Sequence, residues 1–180
     1  MVEMRNNRQR RCSRPVSVRI TIYFVLVLLL NGCGSDTPKR LKIGDDAPPF
    51  IIIDLQGKQR SSDQWTGFPV ILRFWDTECK YCRADSPIIN RYFNTFQDRG
   101  LKVLYIATPN ETEDRVRSFI EDLDIMFPVA LDEDGKMTAD YQVNIVPQTI
   151  FISPDRKIIT AMLGGVGEAE LEELFGPYLQ

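Results

Sequence analysis

Two cysteines separated by two residues, Cys79 and Cys82, are the residues whose types and spacing most directly indicate chemistry. At positions i and i+3 of a first helical turn they lie roughly 5–6 Å apart, which suits a disulfide. The reactive form of cysteine is the thiolate, and the free N–H groups and dipole at a helix N-terminus stabilise it. The spacing therefore predicts a redox-active dithiol, if a helix begins at this point.

Two other interpretations of the pair stay open. A Cys-x-x-Cys can be half of a zinc site, but such a site needs further sulfur or nitrogen ligands. The chain has no histidine, and its other cysteines, Cys12 and Cys33, lie near the N-terminus, so we predict no metal site. A purely structural disulfide is the second alternative, although so short a loop constrains little of the unfolded chain.

The elements around the pair support its placement at a helix start. Val70 to Trp75 is a run of strand length, rich in β-branched and aromatic residues, and indicates a buried strand. After Cys79 a helical pattern runs to about Arg99, and Gly100 is typical of the residue that ends a helix. Its apolar stripe consists of Ile88, Ile89, Tyr92, Phe93 and Phe96.

The N-terminus has the composition of a targeting segment. Residues 1–19 contain six arginines and one acidic residue, and residues 20–30 are apolar except for Thr21. Eleven residues are too few for a stable transmembrane helix but fit the apolar part of a signal peptide. The following Leu30-Asn31-Gly32-Cys33 resembles the lipobox of bacterial lipoproteins, in which the cysteine is lipid-modified. An ordinary signal peptide or an uncleaved anchor, with Cys33 incidental, is the alternative.

This segment predicts the organisation of the whole chain. We expect a lipoprotein signal peptide in residues 1–32, a tether in residues 33–42 and one globular domain in residues 43–180. The domain is then extracytoplasmic, on the periplasmic or cell-surface side, and anchored to the membrane through lipid on Cys33. Removal of Cys12 and lipidation of Cys33 leave Cys79 and Cys82 as the redox-active sulfurs.

The charge of the domain argues against one class of partner. The whole chain has a formal net charge of −3, but residues 34–180 carry 16 basic and 24 acidic side chains, or −8. Because nucleic-acid binding relies on clustered positive charge, we expect no nucleic-acid partner.

The remaining pattern predicts an α/β domain. A strand–helix–strand order followed by a hairpin and a closing helix indicates a mixed central sheet flanked by helices. The acidic turn Asp132–Gly135 is interpreted as solvated surface. The other predicted elements are a hairpin around Gln56-Gly57-Lys58, strands at 101–107 and 127–131, helices at 112–123 and 136–141, a hairpin of 148–153 with 157–163, and a helix at 168–178.

A set of motifs in a fixed order carries a family resemblance over roughly residues 43–178. The chain resembles the TlpA/ResA family of thioredoxin-like, membrane-tethered thiol–disulfide oxidoreductases. This resemblance implies a thioredoxin-like fold with an N-terminal β-hairpin extension. The motifs are Gly44 to Phe50, Asp54 to Lys58, Phe74-Trp75 before Cys79-Lys80-Tyr81-Cys82, and Tyr141-Gln142-Val143 before Val146-Pro147-Gln148-Thr149.

The resemblance also implies roles for individual residues. Cys79 is the attacking nucleophile and Cys82 the buried resolving thiol, with no cofactor other than their own redox-active disulfide. Pro147 is a cis-proline facing the cysteines, and because it lacks an N–H it leaves the backbone of Val146 free to pair with an extended substrate segment. Trp75 and Tyr81 are neighbours of the site.

The family also suggests partners and a direction of electron flow. Its members often reduce the disulfide of apocytochrome c before haem attachment and receive electrons from a membrane thiol donor. We therefore expect a reductase of protein disulfides, with apocytochrome c as a candidate substrate.

Three charged residues depart from the family pattern and are candidates for tuning the pKa of Cys79. Glu78 replaces the usual tryptophan and its charge opposes a nearby thiolate, whereas Lys80 acts in the opposite direction. Arg73 occupies the position of a buried acid in thioredoxins and often of asparagine in this family. It is either a partly exposed arginine paired with a carboxylate, or a cation beneath the cysteines that stabilises a thiolate.

Two other functions are compatible with such a fold. A peroxiredoxin-like peroxidase needs a threonine or serine three residues before its reactive cysteine and a proline seven before it, whereas this chain has Asp76 and Leu72 there. A non-catalytic tethered binding module is the other alternative, because a fold does not fix an activity.

Overall fold

The structure is a computed structural model and describes residues 40–179. The predicted signal peptide, Cys33 and nearly all of the tether lie outside the described residues. Within residues 40–179 no helix has both the length and the apolar composition needed to cross a bilayer.

A five-stranded mixed sheet forms the centre of the domain. Its strands are β3 (Val70–Trp75), β4 (Lys102–Ala107), β5 (Val129–Leu131), β6 (Gln148–Ile152) and β7 (Ile158–Leu163). They lie side by side in the order β5-β4-β3-β6-β7. The middle strand, β3, is parallel to β4 and antiparallel to β6; β5 is parallel to β4, and β7 is antiparallel to β6. The predicted mixed sheet is therefore confirmed.

In the described part of the chain four α-helices accompany the sheet: α1 (Lys80–Phe96), α2 (Glu113–Asp122), α3 (Lys136–Asp140) and α4 (Glu168–Phe175). Short 3-10 turns cover Asp63–Trp65, Gln97–Arg99 and Gly176–Tyr178. Gly100 follows the turn after α1 with φ of 98°, in the left-handed region. A Cβ there would lie 2.5 Å from a ring carbon of Phe68, so both the backbone and the packing require glycine.

The sheet has an apolar core on each face. All six residues of β3 are buried, and its side chains alternate between the two cores. Ile71 and Trp75 belong to one core with residues of α1, α2 and α4, whereas Leu72 and Phe74 belong to the other. By the same alternation, Arg73 lies on the α1 face.

An N-terminal hairpin precedes the sheet, as the resemblance implies. Strands β1 (Ile51–Ile53) and β2 (Gln59–Ser61) pair antiparallel. The Asp54 carboxylate holds their turn, because it accepts the N–H groups of Gln56 and Lys58 at 2.9 Å and Arg60 Nε at 2.6 Å.

The interpretation of the acidic turn at 132–135 is wrong for one residue. Glu133 and Asp134 are exposed, but Asp132 is 2% exposed. Its carboxylate accepts the N–H groups of Met137 and Thr138 at 3.0 and 2.8 Å, and the Thr138 hydroxyl. Free N–H groups in the first turn of a helix need acceptors, and this acid supplies them for α3.

Candidate active site

The cysteine pair lies where the central strand β3 passes into α1, the longest helix within residues 40–179. A three-residue loop leads from Trp75 to Cys79, which is the N-cap of α1, and its sulfur accepts the N–H of Cys82 at 3.1 Å. The two cysteines form a disulfide with Cα atoms 5.3 Å apart. The strand–helix placement of the pair is thus as the sequence predicts.

The two sulfurs differ in accessibility. Cys82 is fully buried in the core that also contains Trp75 and Ile89, whereas Cys79 is only half-buried. A third sulfur can therefore approach the disulfide at Cys79 alone. This asymmetry suits thiol–disulfide exchange, in which one cysteine meets the substrate and the other closes the ring.

The Val146–Pro147 peptide bond is cis, the isomer that the resemblance implies. Gln148, the next residue, begins β6 and pairs with Phe74 near the end of β3. The loop that ends at Pro147 therefore enters β6 at the same edge of the sheet where the loop to Cys79 leaves the neighbouring strand β3. Pro147 is buried, Val146 is half-buried and Ile145 is 66% exposed.

Arg73 is fully buried, and both of its terminal nitrogens donate hydrogen bonds. Nη2 donates to both oxygens of Asp85 at 2.8 and 2.6 Å, and Nη1 donates to Thr149 Oγ1 at 2.6 Å. Within residues 40–179 its Nε has no hydrogen-bond partner. The expected pairing with a carboxylate is confirmed, but the expected partial exposure is wrong, because the middle of β3 is covered on both faces.

Asp85, three residues after Cys82 on α1, was not predicted from the sequence. Its carboxylate also accepts the N–H of Val166 at 2.9 Å. Burial raises the pKa of Asp85, and the Arg73 charge and these hydrogen bonds act against that rise. A sequence signal existed: Asp85 precedes Ile89 by four residues and Tyr92 by seven, so it is an acid on the apolar stripe of α1.

Further polar groups connect this pair to the cysteine turn. The Ser86 hydroxyl donates to the Cys82 carbonyl at 2.5 Å and lies 3.2 Å from the Tyr105 hydroxyl. The guanidinium of Arg73 lies 6.0 Å from the centre of the Tyr105 ring. Burial raises the pKa of Tyr105, so its hydroxyl stays neutral. We call Arg73, Asp85, Ser86, Tyr105 and Thr149 the buried network.

The other predicted neighbours divide into one buried residue and three exposed ones. Trp75 is fully buried, with its ring 4.2 Å from that of Phe119, and its Nε1 has no partner among residues 40–179. Glu78 pairs with Arg115 at 2.7 Å, and their side chains are 85% and 45% exposed. Lys80 Nζ lies 5.3 Å from the ring of Tyr81, which is 55% exposed.

No group of three or more histidine, cysteine, aspartate or glutamate side chains within residues 40–179 is arranged to hold a metal ion.

Comparison with known proteins places this site in a family. Residues 43–161 match the AhpC/TSA family. The thiol-disulfide oxidoreductase ResA of one Bacillus cereus strain is 31% identical over 169 residues, which cover 88% of this chain and 95% of that protein. ResA of a second Bacillus cereus strain is 29% identical over 163 residues, with 86% and 94% covered.

Solved structures agree with these relatives. The thioredoxin domain of a thiol-disulfide oxidoreductase from Bacteroides vulgatus superposes with a TM-score of 0.69 at 25% identity, over 78% of this chain and 99% of that one. A thiol:disulfide interchange protein from Bacteroides sp. gives 0.67 at 26% identity, with 78% and 91% covered. The chain belongs to the ResA/TlpA-like family of thiol–disulfide oxidoreductases.

Membership of the ResA/TlpA-like family identifies the fold as thioredoxin-like and the protein as an oxidoreductase, in preference to a non-catalytic binding module. Its redox group is its own cysteine pair, and its partners are proteins that carry disulfides or thiols.

Proposed function

We propose that this protein is an extracytoplasmic, membrane-tethered reductase of protein disulfides. The observation that carries the proposal is the disulfide at the N-terminus of α1, of which only the Cys79 sulfur is accessible and which lies at the same sheet edge as the Val146–Pro147 loop.

The proposed reaction begins with the reduced protein. The Cys79 thiolate attacks one sulfur of a substrate disulfide, so that a Cys79–substrate bond forms and the other substrate sulfur leaves as a thiolate. The Cys82 thiolate then attacks Cys79 Sγ and releases the second substrate sulfur. Two electrons pass to the substrate, and the Cys79–Cys82 disulfide remains to be reduced by a thiol donor.

We place the binding site for the polypeptide around a substrate disulfide beside Pro147. Val146 precedes the cis-proline and is half-buried, and Ile145 next to it is an exposed apolar residue. We propose that an extended substrate segment pairs with the Val146 backbone and contacts Ile145 and the exposed Tyr81. Apolar contacts of this kind exclude water from the exchanging sulfurs.

The proposed location depends on the N-terminal sequence. We retain a signal peptide in residues 1–32, a lipid-modified Cys33, a tether in residues 33–42 and the domain in residues 43–180. A tethered reductase of this kind fits a membrane thiol donor as its electron source and apocytochrome c as a substrate. Loss of membrane association in Cys33→Ala, with unchanged disulfide exchange, is the expected result for the anchor.

The tuning of Cys79 is assigned to Arg73, Glu78 and Lys80. Arg73 lies on the α1 face of the sheet, but the Asp85 carboxylate balances its positive charge. We therefore propose that Arg73 acts on the cysteines as part of an ion pair. Replacing Arg73 with Asn and measuring the pH dependence of Cys79 alkylation tests this role. An unchanged pH midpoint would exclude it.

The AhpC/TSA match makes a peroxidase the second candidate. The residues that such an enzyme needs before its reactive cysteine are replaced by Asp76 and by Leu72, which is fully buried in β3. We therefore expect hydrogen peroxide to oxidise the protein no faster than an ordinary thiol.

The deciding measurement is the reduction potential of the Cys79–Cys82 couple. We expect a value near that of thioredoxin, about −270 mV, as a disulfide reductant requires. A value near −120 mV is typical of a disulfide-forming oxidant and would overturn the proposed direction of electron flow.

A further inference from the structure

A buried carboxylate outside the cysteine turn holds the loop that leads into it. Glu111 follows β4, and its side chain is 3% exposed. Its Oε1 accepts the N–H of Thr77 at 2.8 Å, and its two oxygens each lie 3.0 Å from the Thr77 hydroxyl. Thr77 is two residues before Cys79, so these hydrogen bonds act directly on the chain that carries the accessible sulfur.

The contact between Glu111 and Thr77 is one of several hydrogen bonds that join the segment after β4 to the segment after β3. Thr108 N–H donates to the carbonyl of Trp75 at 3.0 Å, and Glu111 N–H donates to the carbonyl of Thr108 at 3.0 Å. Cys79 N–H in turn donates to the carbonyl of Asp76 at 3.3 Å. The loop before Cys79 is therefore fixed at its start by the backbone after β4 and in its middle by the Glu111 side chain.

One arginine balances the charge of this carboxylate. Arg115, on α2 and four residues after Glu111, places Nε 3.6 Å from Glu111 Oε2 and Nη2 2.7 Å from Glu78 Oε1. Arg115 therefore contacts both Glu111, which holds the loop before Cys79, and Glu78, which belongs to that loop. The positive charge of Arg115 reduces the electrostatic repulsion between either acid and a Cys79 thiolate.

We infer that Glu111 is a positioning residue for disulfide exchange, and that it acts by fixing Thr77 so that Cys79 stays at the N-cap of α1. The inference rests on the proposed role of Cys79 as nucleophile. Cys79 benefits from the helix N-terminus only while its sulfur lies near the free N–H groups there. Exchange also needs the attacking sulfur in line with the substrate disulfide, and a small displacement of a reacting group slows a reaction by up to about 10²-fold.

The test substitutes each of the two residues that form the contact. Thr77→Val deletes the hydroxyl while it keeps the shape and the charge of the loop, and Thr77→Ser keeps the hydroxyl. Glu111→Gln removes the carboxylate and keeps the size of the side chain. The measurements on the full-length reduced protein are the rate of exchange with a small aromatic disulfide and the pH midpoint of Cys79 alkylation by iodoacetamide.

We expect Thr77→Val to slow exchange about tenfold and to raise the alkylation midpoint, because the thiolate is less well held at the helix N-terminus. Thr77→Ser should stay within about twofold of the wild-type rate. If the two side chains act through one contact, Glu111→Gln combined with Thr77→Val should be no slower than the slower single variant.

The matched control is Glu113→Gln, which removes a nearby acid that is 55% exposed and paired with Arg117. It should leave the rate and the midpoint unchanged, and circular dichroism should show the native fold in every variant. Wild-type values for Thr77→Val, or additive effects in the double variant, would overturn the inference. A wild-type protein whose Cys79 is not alkylated in preference to Cys82 would instead contradict the proposed function.

Discussion

Two sets of charges lie close to the cysteines, and they differ in solvent contact. The buried network below the turn joins Arg73 to Asp85 through two hydrogen bonds and to Thr149 through a third, with the arginine wholly excluded from water. The exposed set consists of Glu78 with Arg115, and of Lys80 beside Tyr81. Water and ions screen the exposed set much more strongly than the buried network. We therefore expect the buried network to affect stability strongly and the exposed set to adjust reactivity slightly.

The largest predicted effect comes from removing one member of the buried ion pair. Asp85→Asn leaves the Arg73 cation without a counter-charge, which costs about 3–5 kcal/mol of unfolding free energy. Urea unfolding of the oxidised protein measures it.

The control is Asp122→Asn, because Asp122 pairs with Arg83 at the surface and is 56% exposed. It should change stability little. The double variant Arg73→Met, Asp85→Leu should lose much less than the sum of its single changes, because an apolar pair needs no counter-charge. A loss below about 1 kcal/mol in Asp85→Asn would show that the two charged sets do not differ as described.

A smaller effect is expected at the other end of the network. Thr149→Val removes the acceptor of Arg73 Nη1 and leaves a buried donor unpaired, at a cost of about 1–3 kcal/mol. Thr149→Ser keeps the hydroxyl and should lose little. Equal unfolding free energies for the valine and serine variants would mean that this hydrogen bond contributes nothing.

Buried and exposed tyrosines should differ in how they affect stability at high pH. The Tyr92 hydroxyl donates to the Leu171 carbonyl, and burial together with the Glu172 charge raises its pKa to about 12. An unfolded tyrosine ionises near pH 10, so the unfolded chain loses this proton first and stability falls as pH rises from about 10 to 12.

Tyr92→Phe should weaken that fall in thermal or urea unfolding measured across this pH range. The control is Tyr178→Phe, because Tyr178 is 43% exposed. Identical pH dependence in Tyr92→Phe and wild type would contradict the assignment.

The smallest predicted effects belong to the exposed set. Glu78→Gln should lower the pH midpoint of Cys79 alkylation by a few tenths of a unit, and Lys80→Gln should raise it by a similar amount, because each loses one charge near the thiolate. Both shifts should disappear in about 0.5 M salt, where screening is strong. A shift above about one unit that persists in salt would place these residues in the same class as the buried network.

The sequence predicted the elements that carry the site, since local patterns determine them. The apolar run at Val70–Trp75, the helical stripe after Cys79 and the ending at Gly100 are all found in the structure. The cis isomer at Val146–Pro147 followed from the family resemblance, and nothing local to that dipeptide would have indicated it.

The polar contacts were harder to predict because they join residues far apart in the chain. Glu111 lies 34 residues from Thr77, and Thr149 lies 76 residues from Arg73, so only the order of strands β4, β3 and β6 brings them together. Asp85 did leave a local signal, as an acid on an apolar stripe. The interpretation of Asp132 was wrong because an acidic turn that supplies acceptors to the start of a helix and an acidic turn that is solvated have similar compositions.

The most direct test of the central claim is to trap the mixed disulfide. Cys82→Ser cannot resolve the intermediate, so after reaction with a disulfide-bonded peptide we expect mass spectrometry to find the peptide attached through Cys79. Cys79→Ser should trap almost none, because the Cys82 sulfur is buried. Equal trapping by both variants, or none by either, would contradict the account of Cys79 as the sulfur that meets the substrate.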